Sequence, residues 1–280
     1  MSANTSARGV WAIAVYTWRE GIRKKTLIGF LLLSLLVIFG STFMTAFMTQ
    51  ATVSGNVETD VETKIIKDIC VSAISIFGEL ITIFMSASVV PTEMDNKVIY
   101  TVLSKPVRRY QYLLGKFLGV QFIVIVNLIL MSLLFMIALY IKEQVVPTLL
   151  LWSALLTYFQ FLIVSAFTFA ISCTSTSSVL PTISGLFIYI TGNLTEYLND
   201  VSNRAGTTES GIDTIIGQVA SLLYKILPNL RNFDLRNQIL YLAPNDPPAD
   251  VQIPNLILYG LLYGFAGYLL AQVLFSRKEL

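Results

Sequence analysis

Histidine is absent from this 280-residue chain, and cysteine occurs only twice, at Cys70 and Cys173. Both cysteines lie in or beside apolar runs, so neither a metal cluster nor a Cys/His dyad can be assembled. Charge is scarce as well: 19 Lys and Arg with 17 Asp and Glu make up 13% of the residues, against 55% apolar. Soluble domains carry roughly 25% charged residues. At about half that density the chain cannot clothe a water-facing surface. A soluble enzyme, a disordered regulator and a disulfide scaffold are excluded, and a net charge of +2 is too small to point to nucleic acid. A G-x-x-x-x-G-K-[ST] phosphate loop is missing too. Gly115-Lys116 has Tyr110 where the earlier glycine would stand, so the chain is not expected to hydrolyse ATP unaided. What remains is a polytopic membrane protein.

The gaps between charges mark out the spans. Uncharged or nearly uncharged runs place them at Leu27–Met48, Ile69–Val90 and Phe117–Ile141. Residues 144–195 then hold no charge over 52 positions. One helix of that length would measure ~78 Å against a hydrocarbon core of ~30 Å, so the chain must reverse once. The polar run Cys173-Thr-Ser-Thr-Ser-Ser178 before Pro181 is the place, giving spans at Leu149–Ile171 and Val179–Leu194. A sixth covers Pro254–Phe275. Backbone groups in lipid must be satisfied within the segment, so these runs are helices and the expected fold is an all-α, six-span membrane protein. Twelve of the nineteen basic residues fall on the side of the termini, which places both termini in the cytoplasm and the chain in the inner membrane.

Residues 1–26 have no apolar core before Arg19 and do not read as a signal peptide. Trp11, Val15, Trp18 and Ile22 share one helical face beside Arg19, Arg23, Lys24 and Lys25. The expectation is an interfacial helix; an ordinary basic flank with belt tryptophans is the alternative.

Between the second and third spans runs Pro91-Thr-Glu-Met-Asp-Asn-Lys-Val-Ile-Tyr-Thr-Val-Leu-Ser-Lys-Pro106. Thr92 and Asp95 suit the start of a short helix, Val98 with Val102 and Tyr100 with Leu103 give it apolar faces, and Pro106 stops it. Such a helix, continuous with two spans, is either a lever for a partner or a re-entry turn. The pattern of a Glu soon after the second span, a short apolar helix, Leu-Ser-Lys-Pro-Val-Arg-Arg and Leu-Leu-Gly-Lys-Phe-Leu-Gly resembles the membrane subunits of ABC-2 type ABC transporters. The interfacial N-terminal helix, the long segment before the last span and the C-terminal Phe-Ser-Arg-Lys-Glu-Leu extend the likeness over nearly the whole chain. Within the family it most resembles single-domain permeases of this length, including the copper-site maturation permease of nitrous oxide reductase. One departure is Lys97-Val98, where many members carry Gly-Thr.

The resemblance implies a coupling helix from about Thr92 to Leu103, seated in a cleft of a separate ATPase subunit. Glu93, Met94, Asp95, Lys97, Val98, Tyr100, Val102 and Leu103 would form that contact, with Glu93 holding the membrane and coupling segments in register. ATP and Mg would sit on the partner, and this chain would carry no cofactor or metal. Two ATPase subunits and a second permease, as a homodimer, are the implied partners, with membrane lipid around them.

The domain order expected is therefore an interfacial helix at 1–26, five spans with the coupling helix 91–106 inside 27–194, an external segment at 195–253, and the last span with the C-terminus at 254–280. In the external segment Ile212, Ile216, Val219 and Leu223 belong to an apolar helical stripe over Gly211–Leu227, ended by Pro228. That helix could pack on the span tops, lie in the outer leaflet or close an exit. The segment also leaves room for an external partner protein, in which case the chain transmits motion rather than cargo. Inside the spans, Glu79 is the lone ionisable residue. It either lines a pathway or carries a proton, or it serves packing, neutral at depth or bonded to a polar neighbour such as Asn127 or Gln160. An ion-coupled carrier built on Glu79 is a third functional class. Gly260-x-x-x-Gly264, with Gly267, predicts a close helix contact within the subunit.

Overall fold

The computed structural model describes residues 3–51, 59–97, 108–143, 148–195, 197, 219, 221–222, 224, 227–236, 239 and 252–278. Their helices are α1 (Ala3–Ile22), α2 (Lys25–Ala51), α3 (Thr59–Ser88), α4 (Pro91–Asp95), α5 (Arg109–Glu143), α6 (Thr148–Ser172), α7 (Val179–Asn193) and α8 (Ile253–Ser276), with a 3₁₀ turn at Arg231–Phe233. No strand occurs among the described residues. Four helical stretches are long and apolar enough to cross a membrane: Lys64–Asp95, Arg109–Tyr140, Leu149–Ser172 and Ile253–Ser276. Lys25–Ser41, within α2, and Val179–Asn193 are shorter apolar helices. The chain is an all-helical integral membrane protein.

The reversal between α6 and α7 falls at 173–178, where Ser and Thr replace helical partners with their own hydroxyls. Ser175 Oγ accepts from the Ser177 amide at 3.2 Å, and Ser177 Oγ accepts from the Val179 amide at 3.3 Å. At the other end of the bundle Leu149 and Leu150, at the start of α6, are buried.

α6 is the hub. It packs against α3, α5, α7 and α8, and its Leu156, Ile163, Val164, Phe169 and Ala170 are fully buried. α8 lies on it through a small-residue seam. A Cβ on Gly260 would stand 2.9 Å from Phe159 Cβ, one on Gly264 3.0 Å from Leu162, and one on Gly267 2.8 Å from Ala166 Cβ. The glycine face of the last helix is spent on an intrasubunit contact, and most of its Leu and Phe side chains face outward.

α1 is tied to the bundle more firmly than a helix lying at an interface. Gly115 and Gly119 of α5 form a notch in which added Cβ atoms would sit 2.7 Å from Ile13 Cβ and 2.5 Å from Thr17 Cβ. The face of α1 that enters is Val10, Ala14, Thr17 and Gly21, about 100° round the helix from the expected stripe. That stripe is the other, larger apolar face: Trp11 and Ile22 are exposed, and Trp11 makes an edge contact with Phe122 at 5.5 Å. α1 therefore has two apolar faces, a small-residue one for protein and a bulky one left for lipid.

At the opposite end, residues 227–236 fold back over the helix ends. The Leu230 amide donates to Gly192 O at 3.1 Å, the Asn229 amide to the Tyr259 hydroxyl at 2.9 Å, and Arg236 pairs with Asp68. Leu230, Phe233 and Leu235 are buried there. Of the expected external helix, Val219, Ser221, Leu222 and Tyr224 are helical, with Val219 and Leu222 exposed. Ile212, Ile216 and Leu223 lie outside the described residues.

Candidate functional site

α3 ends in a two-residue turn at Val89–Val90, and Pro91, at the first position of α4, restarts the helix without needing an amide partner. Glu93 then falls in the first turn of α4, where a carboxylate suits the helix dipole. It is only 3% exposed. A carboxylate so placed needs a cation, and α5 supplies one. Lys116 Nζ donates to Glu93 Oε1, and the Tyr112 hydroxyl donates to Oε2. Lys116 is 1% exposed and Tyr112 0%. Tyr112 and Lys116 are four residues apart, so both project from the same face of α5.

This pair gathers four helices. Lys116 Nζ lies 5.3 Å from the centre of the Tyr16 ring on α1, a cation–π contact, and the Tyr112 ring stacks on Phe275 of α8 at 5.9 Å. Partial burial, helped by the carboxylates of Glu20 and Glu93, holds the Tyr16 phenol above its ordinary pKa. Around this centre the helix ends are capped by cations. Arg109 Nη1 donates to Ser276 O and Lys278 O at the end of α8, at 3.4 and 3.3 Å. Lys278 Nζ reaches the carbonyls of Cys173, Thr174 and Ser175 beyond α6, and Met94 Sδ of α4 at 3.2 Å. α4 is thus held on one side by Glu93 and on the other by Met94, and a displacement of α4 has to be felt by α5, α6 and α8.

α4 is shorter than the expected coupling helix. It ends at Asp95, with Asn96 as its C-cap, and Lys97 adopts φ 57. A left-handed residue cannot continue an α-helix, so α4 stops before Lys97. Lys97 occupies the position where the resemblance has glycine, the residue that takes this conformation without steric cost. Asp95 and Lys97 are exposed, and Met94 is half-buried. Val98, Tyr100, Val102 and Leu103 lie outside the described residues.

Glu79 sits halfway along the apolar stretch Lys64–Asp95 and is completely buried. Neither of its carboxylate oxygens has a hydrogen-bond partner among the described residues, and the same holds for both side-chain polar atoms of Asn127. The expected bond from Glu79 to Asn127 or Gln160 is not formed; Gln160 is buried on α6. Tyr189 of α7 lies within electrostatic reach of Glu79. A buried polar pair that does form across helices is Gln121 Nε2 donating to Ser165 Oγ at 2.8 Å.

Lys116 and Tyr112 carry the site with Glu93, and neither stands out in the sequence as a partner. Lys116 reads as a basic flank of the third span. The available clue is its spacing: Tyr112 and Lys116 at i and i+4 are the last polar residues before an apolar run, opposite a loop acid.

Long apolar helices around one hub, with a buried charge junction where the helix ends converge, define an integral membrane transporter subunit with no reaction centre among its described residues. The chain belongs to the ABC-2 family of transporter proteins, whose family model matches residues 11–280. That family works with an ABC ATPase partner in general. The match is to the family as a whole and does not single out the copper-site maturation subgroup. No curated protein matches the chain.

Proposed function

We propose that this chain is the permease subunit of an ATP-driven exporter, a six-span protein of the inner membrane with both termini in the cytoplasm. Two copies pair, and each engages one ATPase subunit that carries the ATP and Mg. Closure of the ATPases presses on the segment that begins at α4, and the Glu93–Lys116–Tyr112 junction passes the displacement into the span bundle. The observation that carries this reading is a full buried charge pair joining a five-residue helix to α5, with Met94 touching the C-terminal Lys278. A short surface helix has no structural need of such an anchor, since truncating one partner of a buried pair typically costs ~3–5 kcal/mol. The outward faces of α2 and α7 expose Leu32, Leu36, Phe39, Ile183 and Phe187, which suits lipid or a second permease. The cargo expected from so apolar a body is amphiphilic or hydrophobic.

Co-reconstitution of the chain with its ATPase, comparing wild type with Glu93→Gln, tests the coupling. Export and the stimulation of ATP hydrolysis by the permease should fall together while the complex still assembles. Unchanged export and stimulation would sink the assignment.

One observation favours a second reading, in which the chain transmits motion to an external partner without moving cargo. Residues 228–236 are tied to α3, α7 and α8 through Asp68, Gly192 and Tyr259, so span movement reaches the external segment directly. Cargo flux in vesicles, against pull-down on residues 195–253, separates the two.

A further inference from the structure

A cavity of about 560 Å³ opens beside the α1–α2 turn, between the start of α2, the end of α3 and the start of α7. Its volume lies within the ~300–1,000 Å³ of small-ligand sites. Its lining is graded. At the end nearest the helix termini stand Lys24, Lys25, Ser88, Thr92 and Ser178. One helical turn deeper in α3 and α7 stand Phe84, four residues before Ser88, and Thr182 and Ile183, four and five after Ser178, with Thr26 and Val179 completing the lining. Phe84 is held in place by stacking on Phe30 of α2 at 5.3 Å. No Asp or Glu lines the cavity among the described residues.

The charged end is organised. Lys24 Nζ donates to Ser88 Oγ at 2.9 Å, across 64 residues of chain, which turns the ammonium toward the cavity instead of into water. Burial pushes the Lys24 ammonium below its ordinary pKa, opposed by Glu20 and Glu93 and reinforced by Lys116. A bound anion would relieve that cost. The N-terminal ends of α2 and α7 border the same space, and Ser178, the N-cap of α7, makes no side-chain cap bond. Their dipoles add to the positive field of the two lysines.

From this arrangement we propose that the cavity binds the phosphate ester head group of an anionic phospholipid from the adjoining leaflet, with the start of its acyl chains against Phe84, Val179 and Ile183. The shared chemistry is a phosphate anion. Inorganic phosphate or a water-soluble phosphate ester would satisfy the lysines and hydroxyls, yet leave the apolar wall uncovered. A zwitterionic lipid would bring a positive ammonium, primary or quaternary, beside two lysines. An anionic lipid satisfies both ends. The inference concerns binding and holds whether or not the lipid is cargo, so it is tested on the chain without ATPase or nucleotide.

The test uses the full chain in phosphatidylcholine nanodiscs containing a minority of spin-labelled phosphatidylglycerol. The immobilised fraction is read by electron paramagnetic resonance against the same label on phosphatidylcholine. Wild type should immobilise phosphatidylglycerol in preference. Lys24→Gln with Lys25→Gln should weaken that preference by up to about 30-fold, the worth of two basic groups near the surface. Lys24→Arg with Lys25→Arg should retain it. Ser88→Ala with Ser178→Ala, which leaves both charges in place, should weaken binding several-fold and keeps the test decisive if the lysine variant fails to fold. An unchanged preference in both the glutamine and the hydroxyl variants overturns the site. Displacement of the labelled lipid by free glycerol phosphate or inorganic phosphate overturns the lipid assignment.

Discussion

The phenol of Tyr112 donates to the carboxylate of Glu93, nineteen residues earlier in the chain, while the Tyr112 ring stacks on Phe275 at the end of the last helix. One side chain thus links the start of α5 to both the acid of α4 and the foot of α8. With Lys116 on the same acid, the junction behaves as a unit whose parts should not be additive.

Removing either charge alone should therefore do more harm than removing both. Glu93→Leu or Lys116→Met leaves a buried partner unpaired and should destabilise the protein by about 3–5 kcal/mol. The double variant should be closer to wild type than either single one. Unfolding in mixed detergent–SDS titrations, analysed as a double-mutant cycle, gives the coupling energy; additive losses would show that the pair is not a unit.

Tyr112→Phe keeps the ring and its contact with Phe275 and removes only the bond to Glu93. The expected loss is about 1.5–3 kcal/mol, the worth of a hydrogen bond to a charged group. The same titration reads it, and a loss within error of zero would mean that the phenol is not bonded in the membrane.

The notch on α5 should be intolerant of any side chain. Gly119→Ala puts a methyl 2.5 Å from Thr17 Cβ and 2.8 Å from the Ala14 carbonyl, so α1 must shift, at about 1–3 kcal/mol. Limited proteolysis should then release residues preceding α2 faster than in wild type. Gly29→Ala, with nothing within 4 Å of the added atom, is the control and should stabilise α2 by about 0.5–1 kcal/mol.

At Lys97 the left-handed φ of 57° predicts the opposite sign. Lys97→Gly should raise thermal stability by up to about 1 kcal/mol, because glycine meets no steric penalty there. Lys97→Val should lower it, since a β-branched residue fits that region worst. A thermal shift in the same detergent ranks the three.

Among the described residues Glu79 has no hydrogen-bond partner and it is fully buried, so Glu79→Leu should stabilise the bundle by about 1–3 kcal/mol, the cost of an unsatisfied buried polar group. If export falls as stability rises, the carboxylate is functional. Equal export in both proteins would leave it a structural remnant.

The charge gaps carried most of the architecture. Lys116 and Lys142 bracket the apolar part of α5, the uncharged run 144–195 divides at its serines into α6 and α7, and Pro254 opens α8 within a residue. Lipid makes this legible, because a charge cannot be hidden cheaply in a span. The site was legible only by half. Glu93 stood out as an acid beside a short helix. Its partner Lys116 looked like any basic flank, because a side chain buried by packing and one exposed at a membrane border have the same sequence. The end of α4 was invisible for a related reason: Asn96 and Lys97 carry no glycine to announce a left-handed turn. On α1 the sequence offers Trp11, Val15, Trp18 and Ile22 as one face of an interfacial helix, whereas the smaller residues beside that stripe make the protein contact. Hydrophobicity scores size, and close packing selects the lack of it.

The seam between α6 and α8 also sets an order of events during synthesis. Phe159, Leu162 and Ala166 form half of a tight interface whose other half, Gly260, Gly264 and Gly267, emerges from the ribosome roughly 90 residues after α6 is complete. At ~5–20 residues per second, α6 waits on the order of 4.5–18 s in the bilayer with that groove open. The nascent bundle is thus held incomplete at its own hub until the last span arrives. A chaperone or insertase that shields α6 over this interval would govern the yield of folded protein more than one acting on any other span.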